Sequence, residues 1–304
     1  MTHEPAPGAA FHRATAPPRG AIWRLVVGVI CAAVGFTLAT LIAALVVYGV
    51  AHLLGFGDFT LAAKTINAGV LLATNLGLAL LVPVAGGLTW VIYRVEPRWV
   101  SSVSPKLRWH WLWTSLGMAV CVWGIFLVLA LVVAVSSHQT AVNESVIGLI
   151  AVIVLTIPLQ AAGEEYLFRG FVLQSLGAAR LPTWLCCLLS ALLFATAHAQ
   201  FSPPLFADRL LLGVLLGWLA VRTGGLETGI AIHLVKNITV LIPAALLHRT
   251  TAALAPTDVT WAPFVFDAVL LAVVVWWVRR VAARRLGDTR VAGVAIPHPS
   301  PGLG

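Results

Sequence analysis

Eight apolar runs, at about 25–54, 66–93, 112–135, 146–162 (continuing towards 178), 183–198, 206–221, 228–247 and 263–278, occupy most of the chain. A run of roughly 17 to 25 apolar residues is long enough to cross about 30 Å of hydrocarbon as a helix. With 60% hydrophobic and 10% charged residues and a mean hydropathy of +0.96 over 304 residues, the chain has too little polar surface to coat a soluble globule. The pattern predicts an all-α, polytopic membrane helix bundle of about eight transmembrane helices.

The basic residues set the orientation, because cytoplasmic loops carry the excess of Lys and Arg. With the N-terminus inside, fifteen of the 19 fall on the cytoplasmic side: Arg13, Arg19, Arg24, Arg94, Arg98, Lys106, Arg108, Arg169, Arg180, Arg222, Arg279, Arg280, Arg284, Arg285 and Arg290. Lys64, Arg209 and Arg249 fall outside, and Lys236 lies within a helix, free to snorkel or to pair with a carboxylate. An even number of spans returns the C-terminus to the cytoplasm. The net charge of +8 is then a signal for topology and anionic lipid, with no nucleic-acid partner, since the basic residues are scattered over short loops. The first run is too long for a signal-peptide core and reads as a retained helix. Cys31, Cys121, Cys186 and Cys187 lie in spans without metal-type spacing and read as small packing residues.

This organisation divides the chain into a disordered tail (1–20), a first group of three helices (21–145), a core of four helices (146–250), an eighth helix (251–286) and a second disordered tail (287–304). The tails are rich in Pro, Ala and Gly without apolar periodicity. Trp99, Trp109, Trp111 and Trp113, beside the basic loop after the second run, suit an interfacial belt.

The scarce polar residues of the core fall in three clusters: Glu164-Glu165 with Arg169, Phe194 with His198, and His233 with Asn237. Ionisable groups in an apolar interior are costly and mark working sites. Adjacent glutamates point about 100° apart on a helix, so Glu164 and Glu165 serve different purposes. Glu165 and Arg169, at i, i+4 with the acid first, form the better ion pair. Glu164 is left to face another helix as a general base. Phe194, one turn before His198, can wall off and orient its imidazole, and His233 shares a helix face with Asn237. Two histidines and a glutamate are the ligand types of a catalytic zinc site, with Glu164, His198 and His233 as metal ligands. They match equally a metal-free arrangement, in which Glu164 activates water while His and Asn stabilise an oxyanion.

Glu164 and His198 lie almost symmetrically about the Leu181-Pro182 break, so an antiparallel hairpin brings them to one depth. Ideal rods leave His233 about 15 Å short of that depth. A tilted, shortened or broken helix around Gly224-Gly225 and Gly229, or a dip at Ser202-Pro203-Pro204, is expected. The fourth segment, about 50 Å long if it runs to Ala178, should bend at Pro158 or Gly163, or protrude.

Glu-Glu-x-x-x-Arg, then Phe-x-x-x-His, then His-x-x-x-Asn, in this order on hydrophobic segments, resembles the CAAX protease and bacteriocin-processing (CPBP, or Abi) family, which includes the type II CAAX prenyl endopeptidases. The match covers roughly 146–247, including the Arg222-Thr223-Gly224 turn. The resemblance implies an intramembrane protease, multi-pass in a bacterial plasma membrane, that cleaves a hydrophobic or prenylated peptide or protein. It implies Glu164 as the water-activating residue, His198 and His233 as partners in metal binding or transition-state stabilisation, Asn237 as an oxyanion stabiliser, and Glu165 and Arg169 as supports. A non-catalytic immunity or scaffold protein that binds a membrane peptide, and a proton-coupled transporter, are the other function classes that these residues accommodate.

Overall fold

The computed structural model describes residues 3–16, 22–55, 66–136, 143–254 and 259–292, and among these every extended element is a helix. Seven helices are long and apolar enough to cross a membrane: α1 Ile22–Leu53, α2 Ala68–Tyr93, α3 Trp109–Ser136, α4 Glu144–Ala178, α6 Pro203–Thr223, α7 Glu227–Leu246 and α8 Trp261–Arg285. Between α4 and α6 lies the shorter α5, Thr183–Ala197. The chain is an integral multi-pass membrane protein, and among the described residues the seven long helices and α5 coincide with the eight apolar runs. The correction concerns the fifth: its 15 residues rise about 22 Å, less than the thickness of the hydrocarbon.

Local chemistry fixes several helix starts. Asn67 Oδ1 accepts from the Val70 N–H and Asn143 Oδ1 from the Val146 N–H, both at 3.0 Å, satisfying donors that have no partner within the first turn. Helix α7 is the most buried of the long spans and packs on α3, α4 and α6, whereas α1 and α8 present mostly lipid-facing surface. Helix α4 meets α2 very closely at Gly163, where an added Cβ would lie 1.9 Å from the Leu78 carbonyl oxygen. Only glycine permits that approach, and it fixes the height of the neighbouring Glu164 against α2. Just beyond, α4 widens into a π-helical stretch over Tyr166–Val172, a geometry frequent at functional sites.

Several expectations are corrected. Residues 3–16 of the supposedly disordered first tail pack against the bundle: Phe11, His12 and Thr15 are buried, and the Thr15 hydroxyl donates to the Gln174 carbonyl at 3.1 Å. A Pro- and Ala-rich composition conceals one aromatic and one imidazole that fill the groove beside 173–178. Part of the second tail is likewise paired, with Gly8 N–H donating to the Val291 carbonyl and Val291 N–H to the Ala9 carbonyl, each at 2.9 Å. Residues 1–2, 17–20 and 293–304 of these tails lie outside the described residues. Arg169, counted above among the cytoplasmic charges, is fully buried within α4. Trp99 and Trp111 are buried rather than interfacial, Trp111 donating from Nε1 to the Thr228 hydroxyl at 2.9 Å, while Trp109 and Trp113 are exposed.

Burial of His12, reinforced by the neighbouring Arg13, pushes its pKa down to about 4. The unfolded chain, with an ordinary histidine, binds the extra proton first as pH falls, so this contribution is complete above about pH 6.5 and disappears towards pH 4. The unfolding temperature in detergent is expected to drop as the pH falls through that window, with hydrogen exchange at 3–16 rising first. His12→Leu should remove the dependence.

Candidate active site

Helices α4, α5 and α7 bring the three sequence clusters to one depth. The hairpin between Ala178 and Thr183 sets α5 antiparallel to the end of α4 and carries His198 to the level of Glu164. His233 reaches that level because the connection before α7 is itself buried. Residues 223–233 are all buried, the Leu226 N–H donates to the Ser101 carbonyl at 3.0 Å, and the Val103 N–H donates to the Gly224 carbonyl at 2.9 Å. Glu227, at the start of α7, is fully buried and clamped by Arg108 through Nε at 2.9 Å and Nη2 at 2.7 Å. This bidentate pair anchors the inward turn.

The resulting side-chain relay is continuous. Asn237 Nδ2 donates to Gln160 Oε1 at 2.9 Å, and Gln160 Nε2 donates to Glu164 Oε2 at 2.8 Å. His233 Nε2 lies 3.2 Å from the same Glu164 oxygen, and His233 Nδ1 lies 3.0 Å from Glu165 Oε1. Arg169 Nη1 donates to Glu165 Oε1 at 2.9 Å, one helical turn away, as the i, i+4 spacing predicts. The two glutamates face different ways. Glu164 lines a cavity of about 980 Å³ together with Gln160, His198, His233 and Asn237, whereas Glu165 and Arg169 lie behind His233.

Phe194 is the wall on which the site is built. Its ring centroid lies 4.6 Å from that of His198 and 5.9 Å from that of His233, both edge to face, and the Arg169 guanidinium carbon sits 4.1 Å from its centroid. His198 Nδ1 is 2.8 Å from the Phe194 carbonyl oxygen, which accepts only, so the proton resides on Nδ1 and the neutral ring turns its Nε2 lone pair outward. The left-handed Ala199, with φ 52°, reverses the chain immediately afterwards. Gly229 admits Glu165: a Cβ there would lie 2.5 Å from Glu165 Oε2.

Gln160 was not singled out from the sequence, although its i, i+4 relation to Glu164 on an apolar helix was a signal. At the other side of the cavity Lys236 takes the second of the two courses open to it, pairing with carboxylates whose identity its own segment does not indicate. Lys236 Nζ lies 2.9 Å from Asp208 Oδ2 and 2.8 Å from Asp267 Oδ2, and Arg209 Nη1 lies 3.0 Å from Asp208 Oδ2. Lys236 therefore pairs within the membrane, joining α7 to α6 and α8.

The donor types of Glu164, His198 and His233 suit zinc, but their placement does not make a three-ligand centre. Among the described residues no three His, Cys, Asp or Glu side chains are disposed to hold one ion, and each nitrogen of His233 faces a carboxylate oxygen. Chemically, the arrangement provides a cavity-facing carboxylate, an imidazole with an outward lone pair, and an amide whose second N–H is not used by Gln160.

Residues 145–239 match the family model for type II CAAX prenyl endopeptidase Rce1-like proteins. An uncharacterized 24.3 kDa protein of Escherichia coli is 31% identical over 127 residues, which is 40% of this chain and 58% of that protein. The chain thus spans somewhat over half the length of the curated relative it matches. No solved structure matches it.

Proposed function

We propose that this chain, whose residues 145–239 match the family model for type II CAAX prenyl endopeptidase Rce1-like proteins, is a membrane-embedded endopeptidase for lipidated or hydrophobic peptide substrates. The observation that carries the reading is the cavity of about 980 Å³ among the helices, walled largely by apolar side chains, into which Glu164, His198, His233 and Asn237 converge. A cavity of that size accommodates an extended peptide segment with an apolar modification.

In the reaction, Glu164 removes a proton from a water held between it and the His198 Nε2 lone pair. The hydroxide adds to the scissile carbonyl carbon, and the carbonyl π electrons move to oxygen. The free N–H of Asn237 donates to that oxyanion. Collapse re-forms the carbonyl, breaks the C–N bond, and returns the proton from Glu164 to the leaving amine. His233 fixes Glu164 through Nε2 and is itself fixed by Glu165 through Nδ1. Gln160 aligns both Glu164 and Asn237, so base and oxyanion donor are set by one side chain.

The test is hydrolysis of paired peptides, identical except for a C-terminal-proximal prenyl group, by detergent-purified chain whose zinc content is measured on the same sample. Cleavage of the prenylated peptide with a higher kcat/KM than its unmodified twin supports the proposal. Equal rates reassign the substrate to hydrophobic peptides at large. No cleavage of any peptide by folded protein removes the protease reading in favour of a binding or immunity role. About one zinc per chain, lost together with activity on chelation, replaces the glutamate-only mechanism with a metal-assisted one.

A further inference from the structure

A second cavity, of about 800 Å³, opens between the ends of α6 and α8, remote from Glu164, and five of its lining residues are arginines: Arg222, Arg279, Arg280, Arg284 and Arg290. No aspartate or glutamate lines it. The guanidinium carbons of Arg222 and Arg279 lie 5.7 and 5.6 Å from the ring centroid of Trp218, and that of Arg280 lies 5.1 Å from that of Trp276. One wall is the junction of the chain ends, where Arg290 Nη1 donates to the Gly8 carbonyl at 3.3 Å and Ala10 bridges Arg290. Five like charges held together without a carboxylate among the lining residues repel one another unless an anion joins them. Stacking on indoles holds the guanidinium planes while leaving their N–H edges free for oxygen acceptors.

We propose that this cavity is a binding site for the phosphodiester headgroup of an anionic phospholipid, in the leaflet at the end of the bundle that carries both chain ends. Guanidinium groups recognise phosphate oxygens in paired hydrogen bonds, and basic pockets between transmembrane helices take anionic headgroups. The acyl chains have a surface to follow: beyond Trp276, which lines the pocket, Val273 and Val269 of α8 are exposed along the helix. Trp276, at the rim, occupies the depth where headgroup and chains meet. The bound lipid ties α6 to α8 and to the paired chain ends at this end of the bundle.

The test uses delipidated full-length protein in detergent, with phosphatidylglycerol, cardiolipin, phosphatidylcholine and inorganic phosphate as separate probes. Binding is read by native mass spectrometry and by the unfolding temperature. Phosphatidylglycerol or cardiolipin should bind and stabilise, and phosphatidylcholine should not. Arg279→Gln combined with Arg284→Gln, both exposed positions, should weaken anionic-lipid binding about tenfold or more, while the matching lysine pair keeps part of it. Peptide hydrolysis in lipid-free detergent should not change in either variant, which separates this site from the one at Glu164. Unchanged lipid binding by the glutamine pair, or equal binding of phosphatidylcholine, overturns the proposal. Inorganic phosphate that binds and stabilises as well as the lipids overturns its lipid part and leaves a general anion site.

Discussion

Glu164→Gln is expected to lower kcat for peptide hydrolysis on the order of 10²- to 10⁴-fold, with KM nearly unchanged. The substitution is close to isosteric. A glutamine at this position keeps an oxygen that accepts from Gln160 Nε2, so the fold has little reason to respond. What it loses is the lone pair that takes a proton from water, because an amide is not basic at any working pH. The loss is therefore confined to the chemical step, which is the signature of a general base rather than of a substrate-binding group. The check is the ratio of rates at saturating peptide, on protein whose unfolding temperature matches that of the wild type.

The second large effect concerns stability. Arg169→Met should destabilise the chain by about 3–5 kcal/mol, because it leaves the Glu165 carboxylate buried with only His233 as a partner. Combining it with Glu165→Leu removes both charges from a site that is fully inaccessible and should restore most of that loss. Activity should not return with stability. Without Glu165, His233 Nδ1 has lost the acceptor that orients the ring, and a small displacement of His233 against Glu164 costs about 10²-fold. Unfolding in detergent and hydrolysis rates for both single variants and the pair check this. A double variant that is as unstable as Arg169→Met would contradict the assignment of Glu165–Arg169 as a buried pair whose charges offset one another.

The parts of the molecule that were legible in the sequence are those governed by local periodicity. The helices α1 to α8 follow from the apolar runs, the Glu165–Arg169 pair follows from i, i+4 spacing, and the common depth of Glu164 and His198 follows from their equal distances to the hairpin at Leu181-Pro182. The features that escaped depend on partners distant in sequence. Lys236 finds its carboxylates on α6 and α8, and nothing around residue 236 names Asp208 or Asp267. The depth of His233 depends on a turn drawn inward by Ser101 and by the Arg108–Glu227 pair, more than a hundred residues apart. Phe11 and His12 become core residues only because 173–178 offers them a groove, so composition alone marked their segment as a tail. The proposed roles of Glu164, His198, His233 and Asn237 rest on their convergence in one cavity, which no single motif conveys.

Mass spectrometry of the products from one prenylated peptide in H₂¹⁸O, with wild type and Glu164→Gln side by side, tests the central claim most directly. The account predicts a single internal cleavage by the wild type, one ¹⁸O in the new carboxylate, and product from the variant reduced on the order of 10²-fold or more. Equal cleavage by the folded variant, or an intact peptide with the folded wild type, would contradict it.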